Sequence, residues 1–177
     1  DPTSILDGGN PVDGTSGVRV LICQSGETST TVFQNLVIQN GLASGTFPDN
    51  SGGGMYNHRF SSPTLTNCTF TSNSADYGGG MYNYFYSSPT LRNTTFTSNL
   101  AEFGGGMYNL DESSPALADC TLTGNSALED GGGMYNTDSS SPILTGCGLC
   151  ENIGGNISGD WVDDGGNCLA VACNDSD

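Results

Sequence analysis

The chain contains no lysine, three arginines (Arg19, Arg59 and Arg92) and one histidine, His58, against 19 aspartates and glutamates. A net charge of −16 excludes phosphate-backbone recognition as a main task, because that depends on clustered Lys and Arg. Attraction to anionic lipid fails for the same reason. Long apolar runs are also missing, and none approaches the ~20 residues of a membrane-spanning helix. The sequence therefore predicts neither nucleic-acid binding nor membrane insertion. Apolar residues make up only 34% of the 177, too few for an ordinary two-layer globule. Such polarity with such charge reads as disorder unless something else orders the chain. No leader segment is evident, so the chain reads as a mature protein or an excerpt of a longer one.

What orders the chain is repetition. GGGMYN occurs at 52–57, 78–83, 104–109 and 131–136, giving periods of 26, 26 and 27 residues. Three variable residues follow each copy, and then a second shared block: SSPTLTNCTFTSNSA (61–75), SSPTLRNTTFTSNLA (87–101), SSPALADCTLTGNSA (113–127) and SPILTGCGLCENIG (141–154). Each unit holds three short stretches with strand-like alternation, separated by Asn, Gly or Ser-Pro. No apolar stripe of helical period occurs. Three strands and three turns per repeat describe one coil of an all-β parallel solenoid.

Stacking the coils at ~4.8 Å superimposes equivalent residues. The predicted inward ladders are Met55, Met81, Met107 and Met134; Leu65, Leu91, Leu117 and Leu144; Cys68, Thr94, Cys120 and Cys147; and Phe70, Phe96, Leu122 and Leu149. Asn57, Asn83, Asn109 and Asn136 form an expected hydrogen-bonded corner ladder, and Asn73, Asn99, Asn125 and Asn152 a second. Segments ILDGG (5–9), VRVLIC (18–23) and VFQNLVIQNGLA (32–43) read as the three strands of a degenerate coil in that order, with Phe33, Leu36 and Ile38 joining the ladders. Residues 1–51 are thus degenerate coils carrying a loop insertion, GTFPDNS (45–51); 52–153 are regular repeats; 154–177 form a C-terminal cap. The total is five to six coils.

The pairing of GGGM with FTSN (Phe70–Asn73 and Phe96–Asn99) resembles the GGxx and FxxN repeats of chlamydial polymorphic outer-membrane proteins. It is similar more widely to right-handed parallel β-helix proteins of the pectin-lyase-like superfamily, including large secreted bacterial ones, whose closing segment resembles residues 156–173. The resemblance implies a right-handed β-helix and a role in surface display, adhesion or assembly. It departs from the family at Leu122–Asn125, which reads LTGN, and these 177 residues carry no autotransporter-barrel pattern. Because the superfamily includes polysaccharide lyases and hydrolases, catalysis needs separate weighing. Asn136-Thr137-Asp138 and Asp163-Asp164 resemble polygalacturonase motifs, but the matching GHG and basic motifs are missing and Asn136 belongs to a ladder. The expectation is no enzymatic activity and no cofactor.

Other surface features carry further expectations. Tyr56, Tyr82, Tyr108 and Tyr135 alternate with the inward Met residues and so form an outward ladder. With Phe60, Tyr84, Phe85 and Tyr86 from the variable triplets they are the expected interaction surface, fitting a second copy of the chain, a glycan or a host surface. Asp76, Glu102, Glu129 and Asp130 precede successive glycine triplets, and a calcium ion would relieve their mutual repulsion. The pairs Thr69/Thr71, Thr95/Thr97 and Thr121/Thr123 suit a solvent-facing strand.

Seven cysteines leave at least one unpaired within the chain. Cys147, Cys150, Cys168 and Cys173 read as disulfides clamping the cap, in preference to a zinc site, while Cys68 and Cys120 are small core residues and Cys23 has no evident partner. Asn67, Asn93, Asn156 and Asn174 begin glycosylation sequons. Together these features predict an extracellular structural protein, a filament subunit or cell-surface adhesin, with a carbohydrate-binding or carbohydrate-cleaving module as the alternative.

Overall fold

In a computed structural model, which describes residues 4–9 and 18–173, each coil contributes one short strand to each of three parallel sheets. The first sheet stacks Leu21–Cys23, Met55–His58, Met81–Tyr84, Met107–Leu110, Met134–Asn136 and Ile157–Ser158. The second stacks Val32–Gln34, Thr64–Thr66, Thr90–Arg92, Ala116–Ala118, Ile143–Thr145 and Val162–Asp163. The third begins with Ser4–Asp7, continues through Leu36–Gln39, Thr69–Thr71, Thr95–Thr97, Thr121–Thr123 and Gly148–Cys150, and ends at Cys168–Ala170. Six coils result, numbered one to six here from the strand at Leu21–Cys23. A minor fourth sheet pairs Leu100–Phe103 with Ser126–Asp130.

The degenerate N-terminal segments are distributed differently from the expected order. Ser4–Asp7 pairs with Leu36–Gln39 in the third sheet, so ILDGG closes the turn before coil one. VFQNLVIQ holds two strands, because Asn35 between them adopts φ 56° and turns the corner.

Left-handed corners keep the strands short. Between the second and third sheets sit Asn35, Asn67, Asn93, Asp119 and Gly146, all with positive φ. Asn, Asp and Gly tolerate that conformation best, so the Asn of TNC and RNT has a backbone reason to be there. The glycine triplet has two further reasons. Its first member is left-handed, at φ 64° in Gly78. A Cβ on its third, Gly80, would lie 2.5 Å from the Gly106 carbonyl oxygen and 2.8 Å from the Phe96 ring.

Register pairing places Met55, Met81, Met107 and Met134 above one another, and likewise the Leu and Phe/Leu ladders. Every one of these side chains is buried, and the Phe70 and Phe96 rings stack with centroids 4.7 Å apart. Asn57, Asn83, Asn109 and Asn136 pass an Nδ2-to-Oδ1 hydrogen bond of 2.8 Å down the solenoid at each step. Asn73, Asn99, Asn125 and Asn152 do the same at 2.9–3.1 Å, each Nδ2 also donating to a backbone carbonyl one coil above. The SSP motif supplies two serine ladders: Ser61, Ser87 and Ser113 amides donate down to the next hydroxyl, while Ser88, Ser114 and Ser141 amides donate up.

A second apolar cluster lies outside the first sheet. Tyr56, Tyr82 and Tyr108 point away from the lumen yet are buried, stacked at 5.6 and 5.2 Å and flanked by Tyr77, Phe103 and Tyr135. Phe47, from the loop insertion, meets the Tyr82 ring edge-on at 6.4 Å. The outward tyrosine ladder is therefore not a free surface. The insertion, and Tyr77 and Phe103 ahead of their glycine triplets, pack over it.

Candidate contact site: an aromatic corner and a flanking cleft

Between the first and second sheets the chain turns through two consecutive left-handed residues in four successive coils. These pairs are Arg59-Phe60, Phe85-Tyr86, Asp111-Glu112 and Asp138-Ser139, with φ between 48° and 63°. Axial hydrogen bonds lock the column: Phe60 N donates to Phe85 O at 3.1 Å, Tyr86 N to Asp111 O at 3.0 Å and Glu112 N to Asp138 O at 2.9 Å. A non-glycine residue held left-handed costs about 1–2 kcal/mol, which a short polar side chain offsets by local hydrogen bonding. Coils four and five use mostly such residues. Coils two and three instead hold bulky rings there and leave them exposed, Phe60 at 59%, Phe85 at 36% and Tyr86 at 39%.

The rings form one surface. Phe60 stacks on Tyr86 at 5.3 Å and meets Phe85 edge-on at 5.4 Å. Half-buried Tyr84 stacks on His58 at 4.9 Å, beside Phe85. The Tyr86 hydroxyl donates to Glu112 Oε1 at 2.9 Å, and that hydrogen bond with the carboxylate charge raises the phenol above its usual range.

Beside the corner, toward coil one, opens a cleft of about 550 Å³ lined by Arg19, Phe47, Asp49, Tyr56, His58 and Arg59 among others. Two of the three arginines and the single histidine therefore gather in one place. Arg19 is structural: Nε donates to Ser51 O at 2.8 Å, Nη2 to Pro48 O at 2.6 Å, and the guanidinium sits 4.5 Å from the Tyr56 ring centroid. This pins the loop insertion across the tyrosines. Burial and the Arg59 charge lower the His58 pKa, favouring the neutral ring at pH 7.

The remaining candidates are dispersed. Asp76 accepts from Asn50 Nδ2 at 2.8 Å and Asp130 from the Ser158 hydroxyl at 2.8 Å. A bulge pairs Asp130 with Phe103, out of line with Glu102. Among the described residues no three His, Cys, Asp or Glu side chains converge on a metal-sized space, so the acidic edge is a row of separate groups. Asp163 accepts from Gly165 N at 2.9 Å and Asn167 Nδ2 at 2.6 Å, and Asp164 from the Thr145 hydroxyl at 3.1 Å; both brace the last coil.

Of the four cap cysteines only Cys150 and Cys173 are bonded. Cys147 lies in the lumen ladder and Cys168 is exposed and free, which corrects the expectation of a four-cysteine clamp. In the same ladder, a hydrogen bond with Cys147 and burial raise the Cys120 thiol far above its ordinary range. Asn67 and Asn93 are exposed, Asn67 with its Nδ2 donating to Asn35 Oδ1 at 3.2 Å, whereas Asn156 is half-buried and engaged at both ends, its Nδ2 donating to Ala170 O and its Oδ1 accepting from Asn152, both at 2.9 Å. Its side chain is not free to carry a glycan. Asn174 lies outside the described residues.

Sequence periodicity missed the paired left-handed corner, because no letter is common to all four of the triplets HRF, YFY, LDE and TDS. Their fixed length of three was the available signal, since a constant turn length implies a constant backbone.

Stacked parallel strands, three per coil around a side-chain-filled lumen, define a β-solenoid of the parallel β-helix class. The chain belongs to the right-handed β-helix family, whose profile, described as a right handed beta helix region, matches residues 10–175. The family includes enzymes and non-enzymes alike. No curated protein and no solved structure matches the chain.

Proposed function

We propose that this β-helix is a non-catalytic extracellular structural protein, a filament subunit or cell-surface adhesin, that works through its aromatic corner. The observation that carries this reading is the placement of Phe60, Phe85 and Tyr86, exposed on left-handed backbone where coils four and five use mostly polar residues. Strain without burial is a cost that folding alone does not require, and contact with a partner would account for it. The Cys150–Cys173 disulfide supports an oxidising, extracellular setting. The structural engagement of Asp163 and Asp164 speaks against a hydrolytic carboxylate pair. The cleft at Arg59 and His58 favours a second reading, a carbohydrate-binding module, since ring faces and a guanidinium suit saccharides.

The test compares the wild type with a Phe60→Ser, Phe85→Ser, Tyr86→Ser variant. Both proteins are followed by electron microscopy over a concentration series and by binding to an array of immobilised glycans. Association or glycan binding that the variant loses is the expected result. A wild type that neither associates nor binds, or a variant that behaves identically, would sink the contact reading.

A further inference from the structure

We propose that the aromatic corner pairs with the same corner of a second copy, side by side and antiparallel. This deepens the contact reading above and rests on it. Along this column the chemistry reverses halfway: coils two and three present Arg59, Phe60, Phe85 and Tyr86, while coils four and five present Asp111, Glu112, Asp138 and Ser139. All four pairs share one left-handed backbone and one axial hydrogen-bond track, so they lie in a single line at the solenoid's ~4.8 Å rise.

A two-fold axis crossing the column between coils three and four maps coil two onto the partner's coil five, and coil three onto its coil four. Arg59 then meets the second copy's residue 138, an aspartate, and the reciprocal contact forms at the other end. Phe85 and Tyr86 meet the acidic pair at 111 and 112, placing carboxylates against the positive ring edges. Such a surface is self-complementary, which is what an isologous interface requires. A parallel arrangement would set arginine against arginine and aspartate against aspartate.

The rest of the molecule argues for a matched local contact. Two copies at −16 each repel one another, so association needs a place where the sign changes. The corner supplies one, because Arg59 is exposed and the triplets of coils four and five hold Asp111, Glu112 and Asp138. The column is short, so the dimer is a weak one, below the standard interface size. Overall charge repulsion also falls with salt, so salt dependence alone is a poor probe and charge exchange a clean one.

The experiment is sedimentation velocity on the full chain from about 10 µM to 1 mM, a range suited to a contact of this size. Four proteins are compared: wild type, Arg59→Asp, Asp138→Arg and the double exchange, each checked for an unchanged thermal melt. The wild type should dimerise, each single variant should weaken dimerisation at least ~10-fold, and the double exchange should restore it. A monomeric wild type, single variants that dimerise normally, or a double exchange that fails to recover would each overturn the pairing. The glycan array separates the two levels of inference. Corner-dependent glycan binding by a monomeric wild type refutes the pairing alone, whereas failure in both assays refutes the contact reading with it.

Discussion

Asn57 and Asn83 occupy equivalent places in one ladder, yet truncating them should not cost the same. Asn83 is fully buried; its Oδ1 accepts from Asn57 and its Nδ2 donates to Asn109, both at 2.8 Å. Replacing it with alanine strands two buried groups, the Asn57 amide and the Asn109 carbonyl oxygen. An orphaned buried polar group costs about 1–3 kcal/mol, so Asn83→Ala should cost ~2–6 kcal/mol before any cavity contribution. Asn57 stands at the ladder's upper end, where its register partner is Cys23. Its Oδ1 already lacks a partner among the described residues. Asn57→Ala therefore strands only the Asn83 oxygen, ~1–3 kcal/mol, and also removes one group that was never satisfied. In urea, with m near ~2 kcal/mol/M, the midpoint should fall about twice as far for Asn83→Ala as for Asn57→Ala. The comparison is made with the disulfide intact and with fluorescence and circular dichroism followed together. Equal shifts would refute the ladder as a chain of individually counted bonds.

Three further outcomes follow from the same geometry. Phe96→Ala removes a fully buried ring stacked on Phe70 and should cost ~3–5 kcal/mol in chemical denaturation, with Tyr86→Ala, on the exposed corner, within ~1 kcal/mol of wild type. Gly80→Ala drives a methyl into the Gly106 carbonyl and the Phe96 ring and should lower the thermal midpoint well beyond Gly124→Ala, where only a left-handed backbone (φ 63°) in open space is disturbed, by ~1–2 kcal/mol. Iodoacetamide at pH 8 should label only Cys168 in the folded protein; the other four free thiols are buried, and burial pushes Cys23 up to about 11, so mass spectrometry should find five labels only after unfolding without reductant.

The solenoid was legible because every coil must satisfy the same neighbours. A residue stacked on its own copy faces identical geometry one rise away, so side chains that pair with themselves recur: Met and Leu in the lumen, Asn at the corners, Ser beside the proline. Periodicity then reports packing directly. The cysteines resisted because their type recurs for two opposed reasons. Cys147 continues the lumen ladder of Cys120, whereas Cys150, three residues on, faces outward in register with Thr123 and bonds to Cys173. Spacing alone does not distinguish a core thiol from a cross-linked one.

The tyrosines show where alternation stops being sufficient. Alternation fixes which side of a strand a residue occupies, and Tyr56, Tyr82 and Tyr108 do lie opposite the lumen methionines. Whether that side meets water depends on what crosses it. Here the crossing elements are the ones that do not repeat: the insertion bearing Phe47, pinned by Arg19, and Tyr77 and Phe103 ahead of their glycine triplets. Burial of the tyrosine ladder consumes the aromatic surface that repetition advertised, and the exposed aromatics are left in the insertion, at Phe47, and in the variable triplets, at Phe60, Phe85 and Tyr86, where no repeat marks them. The parts of a solenoid that recur describe how it holds itself together. Its contacts with other molecules are to be sought where the backbone recurs and the side chains change, and in this chain that is the corner running from Arg59 to Ser139.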